Sequence, residues 1–440
     1  MSDLIYPTLD LFLYALKAPL NATNEEINKN KENFISQLPD NTQVNEFDSE
    51  TEYLELTYPA QVDFKPNDET LEGYYYPVRL NDTYGLQIDC SIKNRTEPQP
   101  VECFTILKTE IENRLNKELA TIGQTWIVSG WLPKDDSQNP EDISQNCYYA
   151  LFKDNDCQQK GEGTFLGGNI FELWRSPNLN KPLAKVNHLS KSSDRHVIIA
   201  IYPNQESAEQ AAEFYPDWMG LFYYRSKITW AYWQSRIVKE SLINHYKKVE
   251  KSRRIIDQSG YWHKQQNFAV SQKIFKNIND ILQQYTIDLL KLSFQKQVIE
   301  INLSDYQTRL AFIKQKADQK DQLDFLENFS DLATKKYLPQ VTKDIENMQL
   351  GLQLLEDIIN AIRSRIEVEK AERDRNFQGL VAVAGSGIAT VSLLKEPLKD
   401  CKDPFLKQLP LFCSYYFISS IIVGLIISFV VWGLRKRLLW

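Results

Sequence analysis

The feature that most constrains this chain is an uninterrupted apolar segment, Leu411–Leu434, which reads LFCSYYFISSIIVGLIISFVVWGL without a charge. At about 1.5 Å per residue, its 24 residues form roughly 36 Å of helix, enough to cross the ~30 Å hydrocarbon core of a bilayer. Aromatic rings near its ends and the basic tail at 435–440 are typical of membrane interfaces. We therefore predict a transmembrane helix at 411–434; a buried core helix is the alternative.

A second uncharged segment, Asn376–Leu394, has 19 residues and is rich in Gly, Ala, Ser and Thr. Small residues that recur every fourth position allow helices to approach closely in lipid, and here they are Ala382, Ser386 and Thr390. The segment predicts a first transmembrane helix at 376–394, in the middle of an oligomer; a surface amphipathic or re-entrant segment is the alternative. Because only residues 395–410 follow before the second segment, the two helices form an antiparallel hairpin with an outer loop.

The basic residues give this hairpin an orientation. Eight of them flank its two outer ends, whereas the connecting loop has four lysines. By the positive-inside rule, both termini are expected in the cytoplasm. The N-terminus lacks the basic region and apolar core of a signal peptide. We therefore predict a multi-pass protein of the plasma (inner) membrane.

A heptad pattern precedes the first membrane segment and predicts a coiled-coil stalk helix at 340–375. Its apolar positions alternate steps of four and three: Val341, Ile345, Met348, Leu352, Leu355, Ile359, Ile362 and Ile366. Continued into the membrane, the same phase gives the pore-lining candidates of an oligomer: Asn376, Leu380, Val383, Gly387 and Thr390. Alternatively, the seam packs against another helix of the same chain, since residues 264–318 also show near-heptad spacing.

The region 215–335 is predicted to be helical. One helix begins after Pro216 and runs to about residue 257, with aromatic residues at a spacing that favours a core role over a ligand cage: Trp218, Phe222, Tyr223, Tyr224, Trp230, Tyr232 and Trp233. The next helix has the near-heptad set that is the alternative partner of the stalk: Ile278, Tyr285, Leu289, Leu292, Ile299, Leu303, Tyr306, Leu310 and Ile313.

Residues 1–210 alternate short helical and strand patterns, which predicts a single α+β domain of about five strands. Helices are expected at Asp10–Leu20 and Glu25–Leu38. A β-hairpin is expected to join Tyr74–Leu80 to Leu86–Ile92 across an Asn-Asp-Thr-Tyr-Gly turn. The predicted fold class is thus an α+β cytoplasmic domain, a long helical coiled-coil stalk and a two-helix transmembrane hairpin.

The sequence lacks the common signatures of enzymes. It contains no Walker A loop and no GxGxxG, GxSxG or HExxH motif. The six cysteines have no CxxC spacing and are interpreted as reduced packing residues. A formal charge of −7, from 51 basic and 58 acidic residues, argues against nucleic acid as a partner. We therefore predict neither enzymatic activity nor nucleic-acid binding.

The order of these parts resembles the CorA-type two-transmembrane metal-ion channels, in which a cytoplasmic domain and long helices lead into a short membrane hairpin with a basic tail. The resemblance covers the whole chain in architecture and is specific from Val341 to Trp440. It implies a pentamer whose first membrane helix lines the pore, with a divalent cation as substrate or regulator. The Gly-Met-Asn motif of that family is absent, because Leu394 is followed by Lys395-Glu396-Pro397.

Two functions follow as hypotheses. The first is an oligomeric CorA-like channel or pore-type effector that conducts ions under control of the cytoplasmic domain, with acidic candidates at its outer mouth: Glu396, Asp400 and Asp403. The second is a membrane-anchored sensor or scaffold, for example a defence effector, without transport. The small-residue first helix favours the channel, and the missing motif favours the sensor. The predicted partners are the lipid bilayer and further copies of the chain.

Overall fold

The computed structural model describes residues 2–19, 22–40, 42–45, 51–115, 121–134, 138–155, 157, 159–175, 195–258 and 268–370. These residues form two compact units. The first contains the described residues up to 239 together with 291–345. The second contains the described parts of 240–290 and 346–370.

One mixed sheet organises the first unit. Its described strands are β1 (Asp3–Leu16), β2 (Tyr53–Glu55), β3 (Val62–Asp63), β4 (Leu71–Leu80), β5 (Thr83–Ile92), β6 (Gln99–Pro100), β7 (Thr121–Trp131), β8 (Gln159–Phe165), β9 (Gly168–Arg175) and β10 (Arg195–Tyr202). The main path runs β2-β4-β5-β1-β7-β10-β9-β8, with β3 beside β4 and β6 beside β1. Only β7 and β10 pair in parallel among these strands. β1 lies between β5 and β7 and is therefore a central strand of the sheet.

The described helices are α1 (Asn24–Ile35), α2 (Phe104–Asn113), α3 (Pro140–Phe152), α4 (Gln205–Ala212), α5 (Tyr215–Gln258), α6 (Phe268–Lys316), α7 (Glu327–Leu332) and α8 (Leu338–Lys370). Local sequence explains several starts. A capping box between Thr23 and Glu26 begins α1. The Asn139 side chain caps α3, and Pro140 occupies its first turn, where a missing N–H costs nothing.

The two faces of the sheet differ in what covers them. Alternate residues of β1, namely Leu9, Leu11 and Leu13, belong to a buried core that includes Phe34 of α1 and residues of α2 and α3. The residues between them, Asp10, Phe12 and Tyr14, lie on the opposite face, which α5 covers. There the Phe12 and Phe222 rings lie 6.2 Å apart, and the Tyr14 hydroxyl donates to the Met219 carbonyl at 2.9 Å.

The predicted hairpin is confirmed as β4 and β5, joined by Asn81 and Asp82. Asn81 adopts φ 52°, a left-handed conformation that asparagine tolerates better than most residues. The turn packs on α5, because Lys227 Nζ lies 2.6 Å from Asp82 Oδ2 and the Tyr223 hydroxyl donates to Asp82 Oδ1 at 3.3 Å. The hairpin tip therefore fixes the helix to this side of the sheet.

The edge strand β8 is covered by a loop. Thr164 and Gln322 exchange backbone hydrogen bonds of 3.1 and 3.0 Å. The Phe325 side chain packs against Gly161 and Gly163, where an added Cβ would lie 2.7 Å and 2.9 Å from its ring. These two glycines thus permit close packing within a strand. Such coverage protects an edge from pairing with another chain.

The second unit contains parts of α5, α6 and α8. The Tyr285 hydroxyl donates to the Met348 carbonyl at 2.8 Å, and an added Cβ at Gly351 would lie 2.5 Å from the same hydroxyl. Ser241 Oγ donates to Asp288 at 2.7 Å. The α8 seam is buried at Leu352, Leu355, Ile359 and Ile362. The α6 seam is buried at all nine predicted positions. Packing within the chain therefore buries these positions, and a coiled coil between stalks is not confirmed.

Several predictions within the described residues need correction. The segment Asp10–Leu20 is not a helix, because Asp3–Leu16 forms β1. As a central strand it is buried on both faces, so its sequence lacks the clear alternation that marks a strand. The predicted helix Glu25–Leu38 is confirmed as Asn24–Ile35. The domain is a mixed α/β structure with twice the expected number of strands.

The predicted fold class is also corrected at its last element. Within the part of the chain that the structure describes, no helix combines the length and the apolar composition that a membrane crossing requires. The long helices α5, α6 and α8 have 44, 49 and 33 residues, but charged side chains recur along them. The finding contradicts the predicted transmembrane hairpin, the multi-pass inner-membrane localisation and ion transport through such helices. The segments assigned to that hairpin, 376–394 and 411–434, lie outside the described residues.

Candidate functional site

An open cleft of about 810 Å³ lies on the α5 side of the sheet. Its floor contains a row of four polar residues that lie directly opposite one another on four neighbouring strands: Glu72, Ser91, Thr8 and Ser129. One wall is α4, through Ala208, Glu209 and Ala212, and the first residue of α5, Tyr215, also lines the cleft. The volume is in the range of ~300–1,000 Å³ that small-molecule sites occupy. The cleft is thus the strongest candidate for a functional site in the described part of the chain.

The next cross-strand row holds a pair of carboxylates. Asp10 of β1 lies directly opposite Asp89 of β5, and Asp89 lies opposite Tyr74 of β4. Directly opposed residues of an antiparallel pair have Cβ atoms about 5 Å apart, so the two carboxyl groups are immediate neighbours. Asp10 is 0% exposed and Asp89 is 7% exposed. Asp89 and Tyr74 line the cleft.

Neutral hydrogen-bond donors hold Asp10 in place. The Gln87 amide donates to Asp10 Oδ1 at 2.8 Å, and the Tyr215 hydroxyl donates to Asp10 Oδ2 at 2.7 Å. A hydrogen bond also joins Asp10 to Asp89. Gln87 Nε2 additionally lies 3.2 Å from the Tyr74 hydroxyl. The Asp10 oxygens are thus fully used inside the protein, whereas Asp89 is the member of the pair that lines the cleft.

Burial shifts the acidity of both groups in the same direction. Burial raises the pKa of Asp10 to about 6, against hydrogen bonds from Gln87 and Tyr215 that lower it. Burial, and then the neighbouring charge of Asp10, raises the pKa of Asp89 well above its ordinary value. Two carboxyl groups this close resist double ionisation, so the pair titrates as a unit and the loss of its last proton is shifted to higher pH.

A strained tyrosine stands at one end of the cleft. Tyr6 has φ 48°, at the point where the β1–β7 register shifts. Its hydroxyl donates to Glu72 Oε1 at 2.7 Å, and its ring lies 5.5 Å from that of Trp131. The Arg95 guanidinium lies 4.4 Å from the Tyr6 ring centroid and 3.5 Å from Glu72. Because a left-handed tyrosine costs of order 1–3 kcal/mol, its position at this cleft supports a functional role.

A second polar cluster lies beneath α5. His196 Nδ1 lies 2.8 Å from Thr125 Oγ1, and His196 Nε2 lies 2.9 Å from Glu172 Oε1. Burial lowers the pKa of His196 to about 4, so the ring is neutral at physiological pH. The Arg225 guanidinium lies 4.8 Å from the Trp174 ring centroid. The hydroxyl, imidazole and carboxylate follow the order of a catalytic triad, but Thr125 and His196 are fully buried, so we interpret the cluster as part of the core.

The sequence-predicted site residues lie elsewhere in the chain. The pore-lining candidates Asn376, Leu380, Val383, Gly387 and Thr390 and the outer-mouth candidates Glu396, Asp400 and Asp403 are all outside the described residues. The interpretation of the α5 aromatics as core is confirmed, since all but Trp230 are buried. Cys90, Cys103, Cys147 and Cys157 are free, as expected of packing residues. In the described ranges, no group of three or more His, Cys, Asp or Glu residues is arranged to hold a metal ion.

Sequence reasoning missed the carboxylate pair. A partial signal existed, because Gln87, Asp89 and Ser91 alternate with apolar residues along the predicted strand. Asp10, however, lay in a segment predicted to be helical. Comparison with protein-family models, curated proteins and solved structures found no match to this chain. The site is therefore interpreted from its geometry.

Proposed function

We propose that this chain is a non-enzymatic ligand-binding module, of the sensor type, whose cleft receives a small polar molecule. One observation carries the proposal: a buried carboxylate, Asp89, lines an open cleft that also has hydroxyl and aromatic groups. A concave site with a few fixed polar groups is the usual form of a small-molecule site. Transport through a membrane pore is not part of this proposal.

The organisation around the pair favours recognition over catalysis. Asp10 accepts hydrogen bonds from Gln87 and Tyr215, which hold its position without supplying a nucleophile. Thr8 Oγ1 and Ser91 Oγ on the floor are paired with each other at 2.9 Å. Groups that are held in this way form a rigid surface, and rigid polar surfaces bind with little loss of conformational entropy. The CorA resemblance, the pentamer and a divalent-cation regulator stay predictions that no described residue and no comparison addresses.

A blocked-cleft variant tests the proposal. Ala212 is exposed on α4 and lines the cleft, so Ala212→Trp adds a large side chain to the cavity without disturbing the core. Gln210→Trp adds the same side chain to an exposed position of the same helix that does not line the cleft. The assay is thermal unfolding in the presence of a metabolite collection. A ligand at one hundred times its Kd stabilises the folded protein by about 2.7 kcal/mol.

We expect compounds that stabilise the wild type and Gln210→Trp but not Ala212→Trp. Equal stabilisation of both tryptophan variants would place the binding site elsewhere and contradict the proposal. A collection from which no compound stabilises the wild type would contradict it as well.

A further inference from the structure

The buried carboxylates of this protein follow a pattern with one exception. Five of the seven described carboxylates that are buried have a basic partner. Asp217 is paired with Arg309 and Lys316, Asp344 with Arg236 and Lys239, Glu172 with His196 and Arg225, Glu110 with Arg114, and Asp288 with His245. Asp10 and Asp89 have only neutral partners and each other.

This exception matters because an unpaired buried charge is costly. A protein avoids that cost by supplying a counter-ion or by keeping the group protonated. An Arg or Lys side chain supplies the counter-ion at Asp217, Asp344, Glu172 and Glu110, whereas Asp288 faces His245 and the Ser241 hydroxyl. At the Asp10–Asp89 pair a shared proton replaces the missing cation, and the pair is also the one that borders an open cleft. The site is therefore arranged to accept a cation from outside.

We infer that the ligand of the cleft carries a protonated amine, which binds to the Asp89 carboxylate in place of the proton that Asp89 shares with Asp10. This inference rests on the proposed binding function. When the ligand binds, the carboxyl O–H bond of Asp89 breaks, its proton passes to the solvent, and the ammonium group takes the place of the proton. The cation then faces two carboxylates, and no covalent bond to the ligand forms.

The surroundings of Asp89 suit an ammonium group. Tyr74 and Tyr215 line the same cleft, and aromatic rings attract cations through their negative faces. Tyr6 lines it too, but its ring already contacts the Arg95 guanidinium, 4.4 Å from the ring centroid. Three bases line the cleft as well. Arg95 is engaged with Glu72 and Tyr6, Lys93 Nζ donates to the Glu69 carbonyl at 2.7 Å, and Lys65 is exposed. The ionisable groups that interact most strongly with the pair are Tyr6, Glu72, Tyr74, Cys90, Tyr202 and Tyr215.

Matched pairs of compounds test the inference. Each pair consists of a primary amine and the alcohol of the same skeleton, beginning with 4-amino-1-butanol and 1,4-butanediol and extending to nucleoside-sized compounds. Binding is measured by titration calorimetry near neutral pH in phosphate and in MOPS, which contains no primary amine. Their ionisation enthalpies differ, so the difference in heat reports protons released. We expect the amine to bind at least about tenfold more tightly than its alcohol and to release close to one proton.

Asp89→Asn provides the specific variant, because its amide retains a hydrogen bond to Asp10 but cannot become an anion. Glu206→Gln removes an exposed carboxylate of α4 that does not line the cleft, and it is the matched control. In Asp89→Asn the amine should lose at least about tenfold in affinity and release no proton, while Glu206→Gln should behave as the wild type. Circular dichroism confirms that both variants are folded.

An alcohol that binds as tightly as its amine would overturn the inference and leave the cleft as a binding site. The same holds for amine binding that persists unchanged in Asp89→Asn. If no member of any pair binds the wild type, or if all bind equally to Ala212→Trp, the proposed function itself fails. The outcomes of the two hypotheses are therefore distinguishable.

Discussion

Replacing Asp89 with asparagine should flatten the pH dependence of the protein's stability. The folded-state pKa of Asp89 is raised far above the ordinary value of 3.8, chiefly by burial. Between these two values the native protein holds a proton that the unfolded chain has released. The free energy of unfolding then falls by about 1.4 kcal/mol for each pH unit of increase. Between about pH 5 and about pH 7, the wild type should therefore lose more stability with rising pH than the variant does.

Two other buried groups titrate in or near this range. Burial lowers the pKa of His196 to about 4, so its contribution rises with pH up to the unfolded value of 6.5. His196 is present in both proteins, so its contribution cancels in the comparison. Burial raises the pKa of Asp10 to about 6, so its contribution also falls as pH rises through that value. Because Asp10 titrates as a unit with Asp89, the difference between the two slopes reports the pair.

The assay is urea unfolding at three pH values in this interval, followed by tryptophan fluorescence and circular dichroism. Asp63→Asn is the matched control, since it removes the same chemical group from an exposed position of the same cleft. We expect its slope to equal that of the wild type. If Asp89→Asn has the wild-type slope as well, the buried pair does not hold the extra proton, and the reasoning about the site is refuted.

Two further predictions concern packing. Gly163→Ala should destabilise the first unit by about 1–3 kcal/mol in urea unfolding, because its Cβ would clash with the Gln322 carbonyl oxygen and lie 2.9 Å from the Phe325 ring. The helical control Gly220→Ala should change stability by less than about 1 kcal/mol. Equal effects would contradict the assigned contacts. Tyr285→Phe should destabilise by about 1 kcal/mol through loss of the hydrogen bond to the Met348 carbonyl, and an unchanged unfolding midpoint would argue against that bond.

The sequence predicted the parts of the fold in which local pattern and tertiary environment agree. The β4–β5 hairpin has a turn that asparagine favours, and its strands alternate, so it was recognised. The α6 seam was recognised because one face of that helix is buried along its length. β1 was not, because a central strand that is covered on both faces shows a nearly continuous apolar run, which strands and helices share.

The site was harder to predict because it depends on register. Asp10 and Asp89 are 79 positions apart in the sequence, and they become neighbours only when β1 and β5 pair with Asp10 opposite Asp89. A shift of one residue in that pairing would move one carboxylate to the other face of the sheet. No local pattern fixes this register. The missing counter-ion is likewise visible only once the neighbours of every buried carboxylate are known.

The path of α5 across the sheet determines where the cleft lies relative to Asp10 and Asp89. The helix begins at Tyr215, whose ring lies 6.1 Å from that of Phe12, and it continues over Tyr14. The polar row Glu72-Ser91-Thr8-Ser129 precedes this start, so α5 does not cover it. The pair is therefore at the boundary between covered and open sheet. When Asp89 gives up its proton it no longer donates to Asp10, so the remaining donors, Gln87 and Tyr215, face a greater negative charge. Asp10 accepts as a carboxylate in both states, so after the loss of the Asp89 donor the Gln87 and Tyr215 hydrogen bonds alone share its charge. A cation in the cleft is thus expected to tighten the hydrogen bond that holds the first residue of α5 to the sheet.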